Sequence, residues 1–192
     1  FIHHSDEERS SRLRWVMSRL AESPEQWTGI ANSIAQAADL GIVGLELEEQ
    51  EVPQEMLELL RRLPWSEDEE AEVPAEVLKE LQRHLVLQHR GADGKDYRLA
   101  SSQQSQGTLT WLATVGPAID ALRLGQVLCI DELDASLHPT LTATLVDMFK
   151  DPDLNTRGAQ IVFTTHDTAL LDNSPVQLLE AGEVWMTEKS PF

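Results

Sequence analysis

Two short segments near the C-terminus, "QVLCID" (126–131) and "AQIVFTTHD" (159–167), are apolar through their centres. They enclose "PTLTATLVDMFKD" (139–151), which is helical in period with Pro139 at its start. Strand, helix, strand with continuous apolar runs predicts a right-handed βαβ crossover whose parallel strands are covered on both faces. That unit restricts the chain to the α/β class. It also fixes where chemistry can sit, because ligands of open α/β sheets lie beyond the carboxyl ends of the strands. Asp131-Glu132 and Thr165-His166-Asp167 fall at two such ends and are expected to be neighbours.

Ser5 or Asp6 can cap a first helix carrying Leu13, Trp15, Val16, Met17 and Leu20, and Pro24 opens a second with Ile30, Ile34, Ala37 and Ala38, stopped by Gly41. "IVGLELE" (42–48) alternates as a strand does, and "PQEMLELLRRL" (53–63) has the period of a short amphipathic helix. The acidic, proline-flanked "PWSEDEEAEVP" (64–74) is the best linker candidate. Residues 75–101 begin helical and turn into two strand-like pieces about Gly91 to Gly94, a hairpin signal. Residues 108–124 are helical in period, with a kink or join expected at Gly116-Pro117. "VQLLEAGEVWMTE" closes the chain as an expected hairpin about Ala181-Gly182.

Charge narrows the partners. Fifteen Lys and Arg against 33 Asp and Glu give a formal charge of −18, which repels phosphate backbones and anionic membranes. No direct nucleic-acid binding and no membrane association are expected. Residues 46–80 carry thirteen acids and three bases, a net −10, the pattern of a solvated face or insertion. The single Cys129 cannot form an internal disulfide and lies in an apolar run, so a reducing, cytoplasmic setting is expected.

The acidic strand tip suits phosphoryl transfer to water. One acid at a strand end can support Mg²⁺, usually through water, and a second can polarise the attacking water; Asp131 fits the first task and Glu132 the second. His166, at the next strand end, can hydrogen-bond a terminal phosphate. Each residue also has a plain structural reading: the acidic pair as a helix N-cap or solvated loop, and His138 as the residue that orients the helix after it.

"VLCIDELDASLHP" (127–139) followed by "IVFTTHD" (161–167) resembles the Walker B, D-loop and switch-histidine segments of ATPases with ABC-type heads. More narrowly, it resembles bacterial AAA-family ATPases with such heads, the group that includes ATPase components of anti-phage defence systems. The resemblance covers about residues 97–189. It implies a partial P-loop NTPase-type parallel sheet at 97–192, the C-terminal half of an ABC-type core, preceded at 1–96 by a mostly helical, acidic variable region with a small strand portion.

It further implies that Asp131 supports Mg²⁺, Glu132 activates water, and His166 is the switch histidine. Asp134, Ser136 and His138 then belong to the loop that communicates across a dimer, with His138 standing where many such heads carry Asp. In "QQSQGTLTWL" (103–112), Ser105, Gly107 and Thr108 match a Ser-x-Gly-Thr signature that holds the γ-phosphate of ATP bound by the opposite subunit, although Gln104 replaces an acid frequent in relatives. Physically, a serine hydroxyl and backbone N–H groups at a helix N-terminus make an anion site, or simply an N-cap.

A triphosphate site also needs a G-x-x-x-x-G-K-[ST] loop, and the sequence has none; "GADGKD" (91–96) is the nearest string and has the wrong spacing. The chain is therefore expected to be the C-terminal part of a longer ATPase, inactive alone, that forms a homodimer or higher oligomer through its heads and licenses an effector protein, with a nuclease as one candidate. Two other readings stay open. One is a non-catalytic acidic interaction module. The other is a divalent-metal nuclease with Asp131, Asp134, His138, His166 and Asp167 as ligands.

Overall fold

A computed structural model describes residues 2, 6–25, 27–29, 32, 41–65, 72–135, 137–171 and 177–188. Most of the expected second helix (24–40), Ser5, Ser136 and part of the linker candidate lie outside these. Contacts divide the chain into two units, one of residues 1–8 and 114–192 and the other of 9–113.

In the unit of residues 9–113, three strands form an antiparallel sheet in sequence order: β1 (Ile42–Glu49), β2 (Arg83–Arg90) and β3 (Asp96–Ala100). The hairpin expected about Gly91 to Gly94 joins β2 to β3, and β1 pairs along the other side of β2 with Leu45 opposite Leu87 and Leu47 opposite Leu85. Alternation along the strands sorts the faces. Leu45, Leu85 and Leu87 are buried on one, while Glu46, Glu48 and Arg98 form ion pairs on the other.

Helix α1 (Asp6–Glu22) starts in the other unit and runs into this one, where Val16 and Leu20 are buried and the Trp15 and Trp27 rings meet edge to face at 5.6 Å. Two short helices, α2 (Gln54–Leu60) and α3 (Ala75–Gln82), each follow a proline, Pro53 and Pro74, whose fixed φ suits a helix entry.

Helix α4 (Gln106–Leu124) is one helix with Pro117 inside it, so the two halves on either side of Gly116-Pro117 are not separate helices. Pro117 lacks the N–H that would bond the Ala113 carbonyl, a cost of about 3 kcal/mol in an exposed helix. Burial compensates: Trp111, Ala113, Thr114 and Ala118 are fully enclosed, and that packing supports a helix that continues through its weakest bond.

The unit of residues 1–8 and 114–192 contains the expected strand–helix–strand segment: β4 (Val127–Ile130), α5 (Pro139–Lys150) and β5 (Gln160–Phe163). β4 and β5 pair in parallel from Val127 opposite Gln160 to Ile130 opposite Phe163, and Ile2 bridges to Ile130 on the far side of β4. Helix α5 buries Leu141, Thr142, Leu145, Val146, Met148 and Phe149. The loop back to β5 is closed by Asn155, whose amide donates to the carbonyls of Phe149 (2.7 Å) and Ala159 (2.8 Å) and accepts from the Ala159 N–H (2.7 Å).

Two expectations are corrected in this unit. The apolar runs predict strands covered on both faces, yet only the Leu128 and Ile130 face of β4 is buried; Val127 is 57% and Val162 58% exposed, with Cys129 half-buried. Continuous hydrophobicity thus describes a sheet with one face open among the described residues. Residues 177–188 form no hairpin. A 3₁₀ turn at Ala181–Glu183 is organised instead by Lys150, whose ammonium donates to the Leu178 carbonyl (2.7 Å) and pairs with Glu183 (2.6 Å).

Gly125 ends α4 at φ +66°, and a Cβ there would stand 2.8 Å from the Arg157 carbonyl oxygen. Gly125→Ala is expected to lower unfolding free energy by more than about 1 kcal/mol. In the same urea titration Gly182→Ala, which meets nothing within 4 Å, should stay within about 0.5 kcal/mol of wild type.

Candidate functional site at the β4 and β5 tips

Beyond Ile130 the chain leaves the strand, and the pattern of "DELDASLHP" determines what faces out. Leu133 and Leu137 are buried, so the loop is pinned from inside at two points four residues apart. Asp131 and Asp134 are left half-buried and Glu132 exposed.

Main-chain pairing continues past the strands. The Thr164 N–H donates to the Ile130 carbonyl (3.1 Å), and the Leu133 N–H donates to the Thr164 carbonyl (2.9 Å). The two loops are therefore held side by side, and Asp131, Glu132, Asp134 and residues 164–167 share one sheet rim.

Two consecutive hydroxyls organise that rim. Thr164 Oγ1 donates to Asp131 Oδ1 at 2.6 Å and accepts the Glu132 N–H at 2.8 Å. Thr165 Oγ1 donates to Asp134 Oδ1 at 2.6 Å and accepts the Asp167 N–H at 3.0 Å. Asp134 Oδ1 also takes the His166 N–H at 3.1 Å, so this carboxylate ties the loop after β4 to the segment carrying His166. Asp167 in turn caps the following turn through the Ala169 N–H (2.8 Å), while its other oxygen is buried without a hydrogen-bond partner. The His166 ring is exposed.

Burial alone would push the Asp134 carboxyl up. The Thr165 hydroxyl and the His166 N–H together outweigh that and hold it below the usual carboxylate range. Glu132 is the one non-glycine residue with positive φ among those described, at +50°. The left-handed region costs a residue with a Cβ about 1–2 kcal/mol, and such strain persists only where surrounding bonds impose it.

The remaining sequence candidates are placed as follows. His138 is the N-cap of α5; its Nδ1 lies 2.8 Å from the Thr140 hydroxyl and accepts the Thr140 N–H. Ser105 caps α4, accepting the Thr108 N–H at 3.1 Å and sharing a hydrogen bond with the buried Thr108 hydroxyl at 2.9 Å. Gly107 lies in that first turn with space around it. Ser105, Gly107 and Thr108 belong to the unit of residues 9–113, the strand tips to the other. Ser136 lies outside the described residues.

No three His, Cys, Asp or Glu side chains among the described residues gather as a metal site. The five-ligand nuclease reading is corrected accordingly: Asp134 is turned onto Thr165 and His166, and His138 onto its own helix. A cleft of about 490 Å³ lined by Glu48, Gln50, His84, Arg98 and Ser102 lies on the polar face of the antiparallel sheet and contains none of the strand-tip residues.

Sequence reasoning passed over Thr164. The signal was present in "TTHD", as two hydroxyl residues at a strand end opposite an acidic pair, but its meaning depends on a partner 33 residues away.

Parallel strands joined by a helix, with acids beyond one strand and hydroxyls and a histidine beyond the next, define an α/β protein with a candidate ligand site at the strand tips. A family model described as "AAA domain, putative AbiEii toxin, Type IV TA system" matches residues 9–172, and the chain belongs to that family of ATPase-like domains. No curated protein and no solved structure matches it. No helix among the described residues is long and apolar enough to cross a membrane.

Two outcomes follow from the geometry. Because the folded carboxyl of Asp134 lies below its unfolded value of about 3.9, its stabilisation is fully present above about pH 5 and is lost as pH falls through the unfolded and then the lower folded value. The stability advantage of wild type over Asp134→Asn in urea should accordingly shrink on acidification. Glycine tolerates the conformation at 132 without penalty, so Glu132→Gly should exceed Glu132→Ala in stability by about 1 kcal/mol.

Proposed function

We propose that this chain supplies the hydrolytic part of an ATP-binding head of ABC type. The observation that carries the reading is how the fold treats the acidic pair. A helix cap is the ordinary use of Asp-Glu after a strand, but His138 caps α5. Glu132 instead stands exposed in a strained conformation beside the tip of β5. Membership of an AAA family supports nucleotide as the ligand.

Glu132 then orients and activates the attacking water. Asp131 holds the metal side of the site, and the exposed His166 meets the terminal phosphate. Mg²⁺ commonly takes one or two carboxylates together with phosphate oxygens and water. Asp131, with a hydroxyl donor on one oxygen, fits that mode better than an all-protein cage does, given that no cluster of three ligands forms among the described residues. When bound with nucleotide, the ion neutralises charge on the β- and γ-phosphates.

On this reading, residues 97–192 are the C-terminal half of the head and residues 1–96 its variable region. Ser105, Gly107 and Thr108 face the nucleotide of a second head, which requires Ser105 to share its capping role with a phosphate. Asp134, Ser136 and His138 lie on the route between subunits. Because these 192 residues contain no G-x-x-x-x-G-K-[ST] string, the phosphate loop is supplied by residues outside them. The reading extends to ATP-dependent dimerisation that licenses an effector, in the cytoplasm and in defence against phage; the family's description, which names a putative toxin of a toxin–antitoxin system, supports nucleotide-linked action within such a system.

Glu132→Gln in the native full-length protein should lower ATP turnover at least about 100-fold and trap an ATP-bound dimer, measured by phosphate release and size-exclusion chromatography. Unchanged turnover removes Glu132 as the base. The absent phosphate-loop string favours one second reading, an acidic interaction module, for which the native protein would show no ATP turnover at all.

A further inference from the structure

We propose that Thr164 is a positioning residue of the strand-tip site, setting the Asp131 carboxylate and the direction of the Glu132 side chain together. The inference rests on the reading of Glu132 as the base and Asp131 as the metal-side acid.

The geometry is specific. The φ and ψ of residue 132 are fixed by the two peptide planes that flank its Cα. The N–H of the plane before it donates to Thr164 Oγ1 (2.8 Å), and the N–H of the plane after it, that of Leu133, donates to the Thr164 carbonyl (2.9 Å). Both planes are therefore tied to one residue, and the direction in which the Glu132 Cβ leaves the backbone follows.

The same hydroxyl spends its single proton on Asp131 Oδ1 at 2.6 Å, so the acceptor role toward Glu132 and the donor role toward Asp131 cannot be exchanged. Thr164 itself is placed by the ladder, through its N–H on the Ile130 carbonyl. Its β-branch leaves few χ1 choices, which makes it stiffer than serine at the same task.

Valine at 164 keeps the shape and the main-chain half of this clamp and removes only the hydroxyl half. In the native full-length protein, Thr164→Val should accelerate hydrogen exchange at the Glu132 amide about 10-fold or more while the Leu133 amide stays protected. It should lower kcat for ATP about 10- to 100-fold with KM for ATP nearly unchanged. Thr164→Ser should restore both to within about threefold.

Unchanged exchange at the Glu132 amide in Thr164→Val overturns the inference. So does wild-type turnover in Thr164→Val measured beside an inactive Glu132→Gln, and that outcome leaves the proposed function standing. Full turnover in Glu132→Gln overturns the reading of Glu132 as the base, and this inference with it. Thr164 is exposed, so a folding defect is not expected; equal urea midpoints for the valine and serine variants verify that.

Discussion

The parallel pairing of β4 with β5 is the interaction on which the site depends, and it does not end where the strands do. After Ile130 opposite Phe163, the ladder runs one step further through Thr164, whose N–H and carbonyl bind Ile130 and Leu133. Register therefore determines which side chain of β5 stands beside Asp131. A slip of one residue would bring Phe163 or Thr165 to that place and turn every side chain of the strand to the other face. The buried Leu128 and Ile130 resist such a slip, because it would exchange them for the half-buried Cys129 and exposed Val127. Packing on one face of a two-strand ladder thus reaches the rim as a fixed alignment of hydroxyls with carboxylates.

What was legible in the sequence follows the range of the interactions involved. The apolar runs, the helix with Pro139 at its start and the hairpin about Gly91 to Gly94 are local patterns, and the structure contains each of them. The acidic pair was legible as a strand-tip position because an apolar run directly before it already implies a strand end. Thr164 was not, since its two bonds join residues 32 and 33 apart. The left-handed Glu132 carries no glycine or asparagine to announce it.

The errors have the same origin. Gly116-Pro117 predicts a kink or a join from local propensity, and where α4 is buried it runs on as one helix rather than two. The turn at Ala181–Glu183 depends on Lys150, more than thirty residues earlier, which no local pattern reveals. Uniform hydrophobicity along β4 and β5 says that both faces avoid water, not which one is covered; Val127 and Val162 remain open on the face away from Leu128.

The rim also shows how a strongly acidic chain can hold carboxylates at close quarters. Asp134 is stabilised by a hydroxyl and an N–H, and Asp131 accepts from a hydroxyl. Neutral donors of this kind lower the energy of a charge without cancelling it, so the field of the acids persists beyond the rim. In the function proposed above, a magnesium complex of the triphosphate would meet that field with less like charge than the free triphosphate. Hydroxyls at 164 and 165 thus order two carboxylates of the rim, one bond each, from consecutive positions of a single segment.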